Sequence, residues 1–199
     1  MADVRREVAR RVPLAPGTSI HYGGLYEQQQ SSFRGLLGVL LAGLLLVSVV
    51  VLVEFADWRA PLVTTAVAVA SLAGVLLALR LAGQTLNVSS YVGAIMMVGI
   101  VGENAVFVIH EARLALRRGL APAEAWAAAA RRRLRPVAMT VLATGCALAP
   151  LALAVGQGSQ LMQPLAIAVI GGFALSGPLV LLVLPGLYHL LDPKGRLGA

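Results

Sequence analysis

Apolar residues gather five times into runs of about 20, the length of helix that crosses a hydrocarbon core of about 30 Å. The runs cover about Gly35 to Val53, Pro61 to Leu79, Tyr91 to Ile109, Pro136 to Val155 and Pro164 to Leu184. Inside lipid a backbone has no water to bond, so each run must close its own hydrogen bonds as a helix. The expected fold is an all-α membrane protein with five transmembrane helices. Composition agrees: 58% of the 199 residues are hydrophobic and 13% charged, against roughly 45–50% and 25% in soluble domains. The net charge of +7 would suggest nucleic acid in a polar chain, but here it suggests a membrane topology signal and an arginine contact with anionic lipid, so membrane lipid is the expected partner and nucleic acid is not.

Arg113, Arg117, Arg118, Arg131, Arg132, Arg133 and Arg135 all fall in the stretch 110–135 between the third and fourth runs, which marks that stretch as a basic cytoplasmic loop. Pro122 at a first helical position and Glu124 in a first turn predict a helix through Ala125 to Arg133 within it. The uncharged stretch Gly156 to Gln163 falls outside, and five spans then place the N-terminus outside and the C-terminal tail inside. Residues 1–30 form an extramembrane piece, with a short helix expected over Asp3–Val12 and a strand over Thr18–Tyr22, and residues 31–199 the transmembrane domain. Apolar runs in the first 30 residues are too short for a signal peptide, so an exported N-terminus leads us to expect coding sequence upstream. Trp58 suits an interfacial anchor, Pro136 opens the fourth span and Pro150 predicts a kink in it.

Glu103 is the most informative residue. A carboxylate inside an apolar span costs on the order of 2.5–3.5 kcal/mol on insertion scales, which makes it a functional hypothesis by default. Asn104 follows it, and Phe107, His110 and Glu111 continue its helix face towards the cytoplasm. Thr140, on the next span, is expected at a similar depth. Two readings stay open: Glu103 carries protons, or it stays neutral, bonds Asn104 or Thr140 and holds two helices together. Thr140 and Thr144 equally suit hydroxyls bonded back to their own helix. His21, His110 and His189 are too dispersed for a metal set, lone Cys146 gives no disulfide, and Gly156-Gln157-Gly158 is expected to be a turn rather than a phosphate loop. No hydrolase or transferase constellation is present, so an enzyme is disfavoured.

Four strings in order make the chain recognisable: Gly24-Leu25-Tyr26-Glu27-Gln28-Gln29-Gln30, Gly99-Ile100-Val101-Gly102-Glu103-Asn104-Ala105, Arg133-Leu134-Arg135-Pro136-Val137-Ala138-Met139-Thr140, and Pro164-Leu165-Ala166 through Gly171-Gly172 to Leu184-Pro185. Together they resemble the C-terminal end of a resistance-nodulation-division (RND) efflux permease. The resemblance implies a proton antiporter of twelve spans, of which these are the last five, in the bacterial inner membrane. It implies a homotrimer working with a periplasmic adaptor and an outer-membrane channel, driven by the proton gradient with no cofactor. Residues 1–30 would close the second periplasmic porter region. Thr140 matches the family's relay threonine and Arg133 the arginine at the cytoplasmic mouth, while Glu103 stands where multidrug members carry a lysine. Glu103, Asn104, Thr140 and Arg133 are therefore the proton-relay candidates.

The expected parent exports hydrophobic or amphiphilic compounds, and the five spans alone are not expected to transport. The alternatives are a piece of a heavy-metal-exporting RND permease and a free-standing five-span membrane module without transport activity.

Overall fold

A computed structural model describes residues 25–192, with side chains from residue 32 onward. The expected helix over Asp3–Val12, the strand over Thr18–Tyr22 and the tail beyond Asp192 lie outside the described residues. The described elements are helical: α1 (Leu25–Phe55), α2 (Arg59–Leu81), α3 (Val88–Arg117), α4 (Pro122–Ala152), a short 3-10 turn (Ser159–Leu161), α5 (Gln163–Pro178), a π-helical segment (Leu179–Val183) and α6 (Leu184–Leu191). Five stretches are long and apolar enough to cross a membrane, the fifth being α5, the π segment and α6 in continuity, Gln163–Leu191. The π segment lies between Pro178 and Pro185, two residues without the N–H that an α-helical register needs.

Two boundaries differ from the sequence expectation. The stretch 110–135 holds more helix than the expected Ala125–Arg133: α3 runs on to Arg117, and α4 begins at Pro122, so the connection is four residues long, with Gly119 at φ +87° reversing the chain. Nothing between His110 and Arg117 breaks a helix, and continuing the helix keeps the backbone bonded while the arginines reach water. Pro136 does not start a separate helix. The expected helix over Ala125–Arg133 and the fourth span are one helix, with Pro136 and Pro150 both inside it. The carbonyl that Pro136 leaves unbonded is that of exposed Arg132, at the end of the span where water reaches.

The helix ends fall into two groups. At one end Gln84 Nε2 donates to Gln163 Oε1 at 3.2 Å, and Ser89 Oγ to the Leu161 carbonyl at 3.0 Å, joining the α2–α3 and α4–α5 connections. Asn87 caps α3 there: its side chain accepts from the Ser90 N–H, and the Ser90 hydroxyl accepts from the Asn87 N–H. Gly156 and Gly158 turn the chain at φ +103° and +81°, as expected of a turn.

At the opposite end the Tyr188 hydroxyl donates to Asp57 Oδ2 at 2.6 Å, the Trp126 and Tyr188 rings lie 4.8 Å apart, and Arg59 Nη1 pairs with Asp192 Oδ1 at 2.9 Å. The α1–α2 turn, the start of α4 and the end of α6 therefore share one side, as an alternating five-span path requires. Exposed Trp58 lies at this end, beside Arg59, as an interfacial anchor should.

The centre is built by small residues. A Cβ on Gly74 of α2 would stand 2.7 Å from the Gly171 carbonyl of α5, and one on Gly171 would stand 2.8 Å from the Gly74 carbonyl. The two backbones touch directly there. Gly93 of α3 similarly admits Ala168 and the Leu165 carbonyl of α5, and Gly172 admits Met97. Where lipid supplies no hydrophobic drive between helices, such approaches are what dispersion packing depends on.

Candidate functional site

Glu103 lies on the side of α3 away from the packed centre. Val101, Gly102, Ala105, Val108 and Ile109 are buried, whereas Gly99, Glu103, Phe107 and His110 are exposed. With 3.6 residues per turn those exposed positions form one stripe. Glu103 has no hydrogen bond or ion pair with any described residue, and neither does half-buried Asn104. The expected alternative in which Glu103 bonds Asn104 or Thr140 and ties two helices is therefore not what the structure shows. Thr140 is exposed, and its hydroxyl donates to the Pro136 carbonyl at 3.0 Å, bonded back to its own helix.

Arg133 is held at the basic end of this face. Its Nη2 lies 3.4 Å from Glu111 Oε1, its guanidinium carbon 4.7 Å from the centre of the Phe107 ring, and Arg132 Nη1 lies 3.4 Å from Glu111 Oε2. Glu111 thus takes one arginine on each oxygen, and Phe107 offers a ring face to Arg133. The sequence showed Glu111 only as a member of the Glu103 face, with no sign of its two partners.

Depth follows from contacts with α5. Gly93 sits against Leu165 and Ala168, and Met97 against Gly172. Continued along the two helices, this register brings Glu103 level with Gly177. A Cβ on Gly177 would lie 3.7 Å from Val141 and 3.8 Å from Val137, so the same level on α4 is Val137 to Val141, the turn that carries Thr140. Arg133 gives the same result: seven residues along α4 to Thr140 is about 10 Å, and the four to eight residues back along α3 from Phe107 and Glu111 to Glu103 are about 6–12 Å. The carboxylate and the hydroxyl share a depth within the spans, with Arg133 nearer the basic end.

The structure also contains a cluster the sequence did not suggest. Asp57 accepts from Tyr188 and from the Arg59 N–H, at 3.0 Å, while Arg59 reaches Asp192. Tyr188 and Asp192 are buried. No sequence pattern pairs residues so far apart. Among the described residues no group of three or more His, Cys, Asp or Glu side chains is placed to hold a metal ion.

Five apolar spans packed through small residues, with a carboxylate at mid-span, define a polytopic membrane protein. The family model described as the AcrB/AcrD/AcrF family matches residues 1–192, and the chain belongs to that family of RND efflux permeases. Two solved structures that it resembles are both of a heavy metal efflux pump. One, crystal form II, is 34% identical with a TM-score of 0.79, and the other, crystal form I, is 33% identical with a TM-score of 0.76. Each covers 97% of this chain, and the chain spans 19% of each pump's length. No curated protein matches the chain.

Proposed function

We propose that the chain supplies the last five spans of a proton-driven RND exporter, with Glu103 as a proton-carrying carboxylate, and that the cargo is a metal cation. The observation that carries the proton role is the position of Glu103: a mid-span carboxylate, bonded to no described residue, at the depth of Thr140 and on an open face. In hydrocarbon such a group is costly when ionised, and protonation removes that cost. An alternation between the two forms is what coupling to a proton gradient requires. Thr140 stands at the depth of the carboxylate and Asn104 follows it in the chain, and Arg133 lies nearer the basic end, so protons would enter or leave past the Arg133–Glu111–Phe107 group.

The open face is where the first half of a permease would pack. The end bearing the seven clustered arginines faces the cytoplasm, and the uncharged end formed by residues 82–87 and 153–162 faces the periplasm of a bacterial inner membrane. By family, the complete pump is a homotrimer working with a periplasmic adaptor and an outer-membrane channel.

Similarity to heavy metal efflux pumps, at 34% and 33% identity, directs the proposal to metal cations rather than the hydrophobic or amphiphilic compounds expected at first. Glu103 in place of the lysine of multidrug members points the same way. The test is resistance of an efflux-deficient host expressing the complete coding region that contains this chain. Resistance to copper, silver or zinc salts, lost in Glu103→Gln at unchanged protein level and insensitive to hydrophobic dyes, is the expected result. Dye resistance without metal resistance would overturn the cargo, and full resistance in Glu103→Gln would overturn the proton role.

A further inference from the structure

A groove runs between α4 and the fifth span on the other flank of α4 from Thr140. Leu134, Ala138 and Leu142 form one wall, Phe173, Gly177 and Leu181 the other, and its volume is about 460 Å³. No charged or hydrogen-bonding side chain lines it. We propose that this groove binds an anionic phospholipid, with an acyl chain between α4 and α5 and the phosphate on Arg131 and Arg135.

The seven clustered arginines are not equivalent. Arg132 and Arg133 are taken by Glu111. Arg131 and Arg135 are exposed and make no ion pair with any described residue. At 3.6 residues per turn, Arg131, Arg135, Ala138 and Leu142 fall within about 60° of one another, and Thr140 lies at least about 140° from each. The two free guanidinium groups therefore stand over the α4 wall of the groove, at its headgroup end.

Glu124 shares that flank about two turns farther out, again without an ion pair to a described residue, and leaves the flank net positive. From Leu134 to Leu142 the wall is about 12 Å long, enough for the upper part of an acyl chain within one leaflet. A basic mouth over an apolar slot between spans is complementary to an anionic lipid and not to a zwitterionic one. Lipid rather than a further span suits this flank because, on the proposed reading, the first half of the permease packs on the opposite one, over the Glu103 carboxylate and the Thr140 hydroxyl. This inference does not depend on the cargo or on the proton role of Glu103.

The test uses protein purified from membranes at its native length and placed in nanodiscs of phosphatidylcholine. Either phosphatidylglycerol or phosphatidylcholine carrying a photoreactive acyl chain is added, and the labelled peptides are mapped. The expected result is labelling within 134–142 and 173–182 that favours phosphatidylglycerol by about thirtyfold, the order two basic side chains at an anionic headgroup supply. The Arg131→Gln/Arg135→Gln double variant should remove the preference, while Arg132→Gln should keep it. Gly177→Leu, whose side chain enters the groove, should lower labelling by both lipids. The two surface variants are expected to fold normally, so they keep the test sharp should Gly177→Leu misfold. Equal labelling by the two lipids in the unaltered protein would overturn the proposal. So would an unchanged preference in the double variant, or a crosslinker at position 138 that captures protein instead of lipid.

Discussion

The fifth span and α4 lie side by side and are opposites. In the fifth span, as in α2 and α3, close to half of the most apolar window is buried within the bundle: 50%, 44% and 44%, against 6% for α4. The cause is side-chain size at the contact. Gly74, Gly93, Gly171 and Gly172 let three backbones come together, whereas α4 meets its neighbours along a single seam, Ala125, Trp126, Ala129 and Val137. Only the central trio is made to bury itself. α4 instead presents a polar flank with Thr140 to one side and an apolar, arginine-topped flank to the other, which is what an element serving outside partners should do.

The comparison breaks if the trio tolerates bulk. Gly171→Leu, which drives a side chain into the Gly74 carbonyl and Ala78, should destabilise the bundle most, by about 3 kcal/mol or more as overpacking against backbone; steric trapping or unfolding in mixed micelles would measure it, and a near-wild-type midpoint would show that the helices can slide apart freely. Tyr188→Phe removes a hydrogen bond to the Asp57 carboxylate from a buried site and should cost about 1.5–3 kcal/mol in the same assay.

Glu111→Gln releases two arginines on a partly exposed surface, so its loss should be only about 0.2–1 kcal/mol. Smallest of all, Leu142→Ala on the open flank of α4 should change stability by less than about 0.5 kcal/mol, since a side chain facing lipid loses little on truncation. Glu103→Gln sharpens the contrast from the functional side. Stability should hold or rise slightly, because a bonded ion pair is not lost, while proton-coupled export by the complete pump should fall to background. Equal loss of protein and transport would return Glu103 to a structural role.

Much of this was legible in residue order. Run length alone supplied five spans, and the four strings from Gly24 to Pro185 supplied the family, which the match over residues 1–192 bears out. The helix start at Pro122 with Glu124 in its first turn is also as expected. Pro136 lies inside α4 rather than at a helix start, because a missing N–H breaks a helix only when nothing satisfies the freed carbonyl, and at the end of a span water does. The stretch 110–135 carries the helix expected within it and is helical up to Arg117 as well: charge density marks which side of a membrane a segment occupies, not whether it is coiled.

Hydrophobic length is a one-dimensional property, and so the sequence by itself determined the number of spans, the depth at which Glu103 lies and the end that carries the positive charge. Which face of α3 closes was not in it, for burial is set by whether a glycine on one helix meets a carbonyl or a methionine on another. Tertiary structure alone decided that Glu103 and Thr140 point away from the packed centre, that Glu111 occupies Arg132 and Arg133 while Arg131 and Arg135 stay free, and that Asp57 meets Tyr188. Each of these depends on the rotation of a helix about its own axis, which neighbours fix and a hydropathy pattern, nearly uniform around a lipid-embedded helix, does not.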